Sequence, residues 1–379
     1  MWAFGGSMSS GSEKSGEVRK AFTAFFRGLI KTTKFPDSGH ILDYFVDPAS
    51  GDVVAWQDKV AAYGSSVGDS SGSTIFVPTS DTVRLSYLMN ILVRNGRHVM
   101  FVGSAGTGKT ILVNDYLSSL SMMEDSYKYV TINMNFYTDS YALQMQLEQS
   151  IDKRSGKTFG PAGAGKLIYF IDDLNLPEVG TYGTQTPIAL MRQHIDHGSW
   201  FDRSEMSLKK NIVDCSYAAV MNHKNGSFFV DPRLQRHFVT FCCQIPSEAD
   251  LTTIFGSILS AHMFNFDRKL KKVAENLTNA TINLYKEVLL KFLPSAVKFH
   301  YNFTLRDLAA VMKGVLNAKS RDYKFAAQLS RRGYHEAMRV FSDRLISDAE
   351  VQRCKEIVVN VGKRFMDDDP GVAYADPCI

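Results

Sequence analysis

Apolar and polar positions follow two rhythms along this chain, and the rhythm changes near Pro246. Upstream, short and largely apolar runs recur at residues 98–102, 129–134, 167–171, 217–221 and 238–245. Runs of that length predict strands, and strands apolar on both faces predict a covered parallel sheet. Between them, residues 81–94, 109–120 and 140–151 carry apolar positions at helical spacing. Strands alternating with helices give an α/β domain with helices on both faces. Downstream, residues 248–264, 280–293, 305–316, 333–345 and 349–365 are all helix-patterned, which predicts a small all-helical domain.

A lead-in precedes this core. Residues 7–16 are Ser, Gly and charge and read as a flexible loop, whereas 18–30 read as a helix. Residues 41–56 are aromatic-rich and broken at Asp47-Pro48 and Gly51-Asp52, the pattern of strand, turn and strand. A second soft stretch at 64–73 marks a boundary. The expected division is a lead-in at 1–66, an α/β domain at 67–246, a helical domain at 247–366 and a flexible acidic tail at 367–379. No internal repeat is visible.

Composition narrows the classes. The 379 residues, 45% hydrophobic, suffice for two or three domains with a real core. Lys plus Arg exceed Asp plus Glu by only 43 to 39, too little for a nucleic-acid footprint, so no nucleic acid is expected as partner. The absence of a polybasic run and of an apolar run of ~18 residues argues against a membrane partner. The five cysteines are odd in number and form no CxxC pair, which argues against zinc and a disulfide framework and for a reducing compartment. The first residues lack the form of a signal peptide, so an intracellular place is expected.

The chemistry is concentrated at the ends of the predicted strands. Gly103-Ser-Ala-Gly-Thr-Gly108-Lys109-Thr110 fits G-x-x-x-x-G-K-[ST], with a strand before it and a helix after it. That context predicts a phosphate cradle built from Gly103, Ser104, Ala105, Gly106, Thr107, Gly108, Lys109, Thr110 and Ile111. Backbone N–H groups and the helix N-terminus would face phosphate, Lys109 would reach the β- and γ-phosphates, and Thr110 would bind Mg²⁺. The expected ligands are ATP or ADP with Mg²⁺. A second match at Gly160 to Lys166 has Leu167 in place of Ser/Thr and precedes a strand, so it reads as a loop.

The apolar run at 167–171 ends in Asp172-Asp173. In P-loop ATPases the first such acid helps to hold Mg²⁺. Asp173 stands where many of them carry a Glu that orients the attacking water. Asp is one C–C bond shorter, ~1.5 Å, and a misplacement of ~1 Å can cost ~10²-fold in rate, so slow hydrolysis is expected. Asn222 ends the next strand and could reach the γ-phosphate or the water, though a lone Asn there can also be a turn residue. Arg233 and Arg236 sit three apart and could supply an arginine finger or simply form surface ion pairs. Arg306 opens a helix of the second domain, where it could close on nucleotide or pair with Asp307.

These motifs come in the order of an AAA+ module, and the whole chain resembles the third AAA+ unit of a dynein heavy chain, closest to axonemal outer-arm types. The resemblance is carried by Trp2-Ala-Phe-Gly-Gly6, Val77-Pro-Thr-Ser-Asp-Thr-Val-Arg84, the P-loop, Lys166-Leu-Ile-Tyr-Phe-Ile-Asp-Asp-Leu-Asn-Leu-Pro-Glu178, Trp200-Phe-Asp-Arg203, Asp231-Pro-Arg-Leu-Gln-Arg-His-Phe238 and His300-Tyr-Asn-Phe-Thr-Leu-Arg-Asp307. It implies that Val77 and Pro78 lie in the segment covering the adenine. It implies that Asn222 and Arg306 are the sensor I and sensor II residues. Arg233 and Arg236 would then serve the preceding module's site, and this site would need an arginine from the next. The implied partners are neighbouring modules of the ring and, through a complete complex, intermediate chains, light chains and microtubules in the ciliary or flagellar axoneme. Residues 7–16 depart from the family's pattern. The chain has no stalk, linker domain or primary hydrolytic module, so it is expected to be a fragment or an incomplete product, unable to walk alone.

Overall fold

The computed structural model describes residues 15–30, 35–61, 76–163, 165–205, 207–223 and 230–365. Those residues form two compact units by contact, one joining the lead-in up to Val60 to Ser80–Ile245, the other holding Ala61 and 76–79 with the chain from Pro246. The flexible-tail expectation for 367–379 lies outside the described residues, as do positions 7–14 of the expected loop. Ser15 and Gly16 are helical, which corrects that expectation at its end.

In the first unit, α1 (Ser15–Leu29) is followed by the antiparallel pair β1 (Tyr44–Val46) and β2 (Val53–Ala55). This matches the predicted helix and strand–turn–strand. Phe22 and Ile41 are buried. Phe45 stacks on Trp56 at 4.2 Å, and Trp56 meets Tyr87 edge-on at 5.3 Å. Tyr87 belongs to α2 (Ser80–Arg94), so an aromatic stack ties the lead-in to the α/β core. Arg19 adds a hydrogen bond to Gln244 at 2.9 Å.

The core then runs β3 (His98–Gly103), α3 (Lys109–Met123), β4 (Tyr127–Asn133), α4 (Ser140–Glu148), β5 (Asp152–Ser155), β6 (Thr158–Gly160), β7 (Lys166–Asp172), α5 (Thr186–His197), β8 (Ser199–Phe201), β9 (Lys209–Ile212), β10 (Cys215–Met221), α6 (Pro232–Gln235) and β11 (Phe238–Cys243). The five predicted strands form one parallel sheet in the order β11-β3-β10-β7-β4. Fully apolar stretches such as Leu167 to Ile171 are buried on both faces, as parallel strands between helices must be.

Two features were not anticipated. The first is α5, begun by Thr186-Pro187 and stopped at Gly198 with φ 61. The second is a four-stranded sheet, β5-β6-β9-β8, made from two hairpin insertions. Its strands are only three or four residues long, and β5 and β9 are mostly polar, so no alternating pattern announces them. Side chains hold it to α4: Trp200 Nε1 donates to Glu148 at 2.8 Å, and Lys210 pairs with Glu148 and Asp202, each at 2.9 Å.

The second unit comprises α7 (Glu248–His262), α8 (Arg268–Lys291), α9 (Leu305–Leu316), α10 (Ala326–Ala337) and α11 (Asp348–Phe365). Ser247 and Asp250 cap α7, and Thr304 and Asp307 cap α9, each as a reciprocal box. The helix expected from 280 begins twelve residues earlier at Arg268, since Leu270, Ala274 and Leu277 continue the buried stripe. The helix expected over 333–345 is α10 followed by a π-turn at Met338–Ser342. No described helix is long and apolar enough to cross a membrane.

Candidate nucleotide-binding site

A parallel sheet gathers its functional groups at the carboxyl ends of its strands. Register fixes which residues meet here. Met221 pairs with Val102, so Asn222 emerges beside Gly103. Ala219 pairs with Ile171, so Asp172 and Asp173 emerge on the other flank of β10. Gly103 to Ile111, Asp172, Asp173 and Asn222 therefore share one sheet edge, with β10 standing between the P-loop strand β3 and the acidic strand β7.

The loop between β3 and α3 depends on its glycines. Gly106 and Gly108 have φ values of 80° and 82°, a region that costs other residues strain. Gly103 answers a different need: a Cβ there would sit 2.3 Å from the carbonyl oxygen of Cys243 on β11. Lys109 is only 7% exposed. Its Nζ donates to the carbonyl oxygens of Gly103 at 3.0 Å and Ser104 at 2.7 Å, and to Thr107 Oγ1 at 3.2 Å. A largely desolvated ammonium ringed by the loop's own oxygens is strongly positive toward phosphate oxygens reaching the same loop. Burial pushes the neighbouring Cys243 thiol up to about 12, so it adds no negative charge at neutral pH.

Thr110 Oγ1 lies 3.4 Å from Asp172 Oδ1. Adjacent oxygens on an octahedral Mg²⁺ stand about 3 Å apart, given Mg–O distances of 2.0–2.1 Å. The pair stands about half an ångström wider than that, near enough for both oxygens to face one small cation. Among the described residues no cluster of three or more His, Cys, Asp or Glu could hold a metal by itself. The donor set therefore suits a cation completed by phosphate oxygens and water.

Asp173 has φ 54°, left-handed for a residue with a Cβ, and its N–H donates to Asp172 Oδ1 at 3.0 Å. Leu174 N–H then bonds the Val220 carbonyl at 3.1 Å, locking the turn onto β10. Non-glycine residues in this region are uncommon and gather at functional sites. Asn222 is 8% exposed, and its carbonyl accepts from Asn175 Nδ2 at 2.8 Å. Asn175 was missed by sequence reasoning, although it stands two residues after the acidic pair. It pins the loop after β7 to the end of β10.

The arginines separate. Arg236 pairs with Asp196 at 3.1 Å, the ion-pair alternative, while Arg233 is exposed and its guanidinium has no partner among the described residues. Arg306 does not pair with Asp307; Asp307 instead meets Arg344 at 2.6 Å. Val77, Pro78 and Arg306 belong to the second unit. Among the described residues, the Gly160-to-Lys166 match runs from the end of β6 to the start of β7, with no helix following its glycines, in agreement with its rejection as a nucleotide site motif.

Comparison with known proteins bears on this arrangement. Residues 67–246 match the family described as P-loop containing dynein motor region, and residues 254–351 match the dynein heavy chain ATPase lid domain. Residues 1–58 match the dynein heavy chain AAA lid domain. The chain belongs to the dynein heavy chain family. It is 40% identical over 370 residues to the ciliary dynein beta chain of Heliocidaris crassispina. It is 39% identical over 372 residues to the flagellar outer arm dynein beta chain of Chlamydomonas reinhardtii, and 39% over 369 residues to dynein axonemal heavy chain 17 of Homo sapiens. These matches cover 97 to 98% of this chain but only 8% of each relative. The P-loop thus lies in the part of the chain that matches the dynein motor region, a family of nucleotide-binding P-loop domains, and the helical unit holds the match to the ATPase lid domain.

Proposed function

We propose that this chain is the third AAA+ module of an axonemal dynein heavy chain. In this reading it binds ATP or ADP with Mg²⁺ and hydrolyses ATP slowly. It thereby regulates the ring that drives ciliary and flagellar movement. The observation that carries the reading is the convergence at one sheet edge of Lys109, the Thr110–Asp172 pair and buried Asn222. The names of the relatives, ciliary, flagellar and axonemal, support the setting in the cytoskeleton.

Bound Mg²⁺ would neutralise charge on the β- and γ-phosphates. The chain's own groups do the rest. The loop N–H groups and Lys109 hold the phosphates, Asp173 orients the attacking water, and Asn222 fixes its position. Val77 and Pro78 are the adenine-segment residues and Arg306 the sensor II residue that the resemblance implies. Residues 1–58 are then the end of a preceding module's lid, seated on this module through Phe45, Trp56 and Tyr87. Arg233, exposed and unpaired among the described residues, is the better placed of the two arginines to serve that neighbour. Neighbouring modules are the direct partners; intermediate chains, light chains and microtubules are reached through the complete complex.

A second reading, a regulatory site without meaningful turnover, draws on the shorter reach of Asp173. Phosphate release by the chain joined to its next module separates the two. Steady Asp173-dependent release, reduced about a hundredfold in Asp173→Asn, supports the slow ATPase. Tight binding with no release in either form supports the regulatory site.

A further inference from the structure

The turn that follows β7 holds the acidic pair in an unusual shape. Asp173 has φ 54°, a region that strains a residue with a Cβ and persists only where the surroundings enforce it. In that conformation its N–H donates to Asp172 Oδ1 at 3.0 Å. The same oxygen lies 3.4 Å from Thr110 Oγ1. The left-handed turn thus sets the direction of the Asp172 carboxylate. Pairing with β4 fixes only the Asp172 backbone, whose carbonyl accepts from Met134 N–H at 3.0 Å.

The sheet ladder does not extend to this turn on the β10 side. The register of β7 with β10 ends at Ile171 and Ala219. Two other bonds continue the connection. Leu174 N–H donates to the Val220 carbonyl at 3.1 Å, and Asn175 Nδ2 donates to the Asn222 carbonyl at 2.8 Å. A side-chain amide therefore stands in for the next backbone donor of the ladder. Leu174 and Asn175 are both buried, so neither bond is exchanged readily for water. Leu176 N–H closes the turn on the Asp173 carbonyl at 3.0 Å, and Gln185 Nε2 donates to the Pro177 carbonyl at 3.0 Å, but these two bonds do not involve β10.

We infer that Asn175 is a positioning residue for the cation-facing edge of the site. By tying the turn to the end of β10 it keeps Asp173 left-handed, and so keeps the Asp172 carboxylate turned toward Thr110. The inference rests on the reading of Thr110 and Asp172 as groups that face Mg²⁺. Mg²⁺ demands near-ideal octahedral geometry, so a carboxylate free to swivel costs Mg²⁺-dependent binding far more than the binding of nucleotide alone. Residues that orient a ligating carboxylate are worth about tenfold or more in metal affinity.

The test is titration of the whole chain with ATP, once with Mg²⁺ and once with Mg²⁺ chelated. It compares the parent with Asn175→Ala, Asn175→Leu, Asp172→Asn and the double variant Asp172→Asn/Asn175→Ala. Asn175→Leu keeps the size of the side chain but supplies no donor. Melting of each variant checks that it stays folded. Both Asn175 variants should weaken ATP binding about tenfold with Mg²⁺ and hardly at all without it. Asn175→Ala should add no further loss once Asp172 is replaced. Equal losses under both conditions, losses that multiply in the double variant, or unchanged affinity would each overturn the inference while leaving the nucleotide site standing. Loss of the folded state in both Asn175 variants would make Asn175 a general support of the fold and overturn it too. A parent chain that binds ATP equally with and without Mg²⁺ would remove the cation reading, and one that binds no ATP would remove the nucleotide reading; either takes the inference with it.

Discussion

The hydroxyl of Thr110 and the carboxylate of Asp172 stand 3.4 Å apart, although 62 residues separate them in sequence. They meet because β3 and β7 both flank β10, which aligns the start of α3 with the end of β7. The pair is near enough to face one small divalent cation together. Asp172→Asn should therefore weaken ATP binding about tenfold or more with Mg²⁺ present and much less with Mg²⁺ chelated. Titration under both conditions checks it; equal losses would mean that Asp172 does not act through a metal.

Gly103 should resist substitution for a reason separate from phosphate binding. A methyl group there meets the Cys243 carbonyl at 2.3 Å, and backbone cannot move aside without parting β3 from β11. Gly103→Ala should lower stability by about 2 kcal/mol or more, measured by denaturant unfolding without nucleotide. Gly108→Ala, where a Cβ meets nothing within 4 Å but φ is 82°, should cost only about 1–2 kcal/mol.

Acid should loosen the α/β unit through His194. Its imidazole is buried and shares a 2.6 Å hydrogen bond with Tyr217 Oη. Burial, with a smaller effect from His98, lowers it from 6.5 to about 4. Between those values the unfolded chain binds a proton that the folded chain does not. Stability should be intact above pH 6.5 and fall as pH drops toward 4, by up to about 3 kcal/mol from this residue. Unfolding of His194→Gln across that range should show a shallower decline than the parent chain.

Much of this was legible in the sequence because the informative signals were local. Five apolar runs marked the parallel strands, and the P-loop glycines announced their own turns. The residues that escaped had long-range causes. The Lys209–Ile212 strand is nearly all polar and exists because Lys210 is held by Glu148 and Asp202. Arg344 looks like any surface arginine until the fold brings it to Asp307. α5 was different, since its Pro187 start and Gly198 stop were present to be read. The left-handed turn at Asp173 had no sequence signal beyond the tolerance of Asp for that conformation.

The central claim, that Gly103 to Thr110 is a nucleoside triphosphate site, is tested most directly by calorimetric titration of the whole chain and of Lys109→Ala with ATP and Mg²⁺. Lys109 provides the buried charge of the loop, so the account predicts that the parent chain binds and that the variant loses binding while keeping the same melting transition. Retained micromolar binding by a folded Lys109→Ala chain would contradict it.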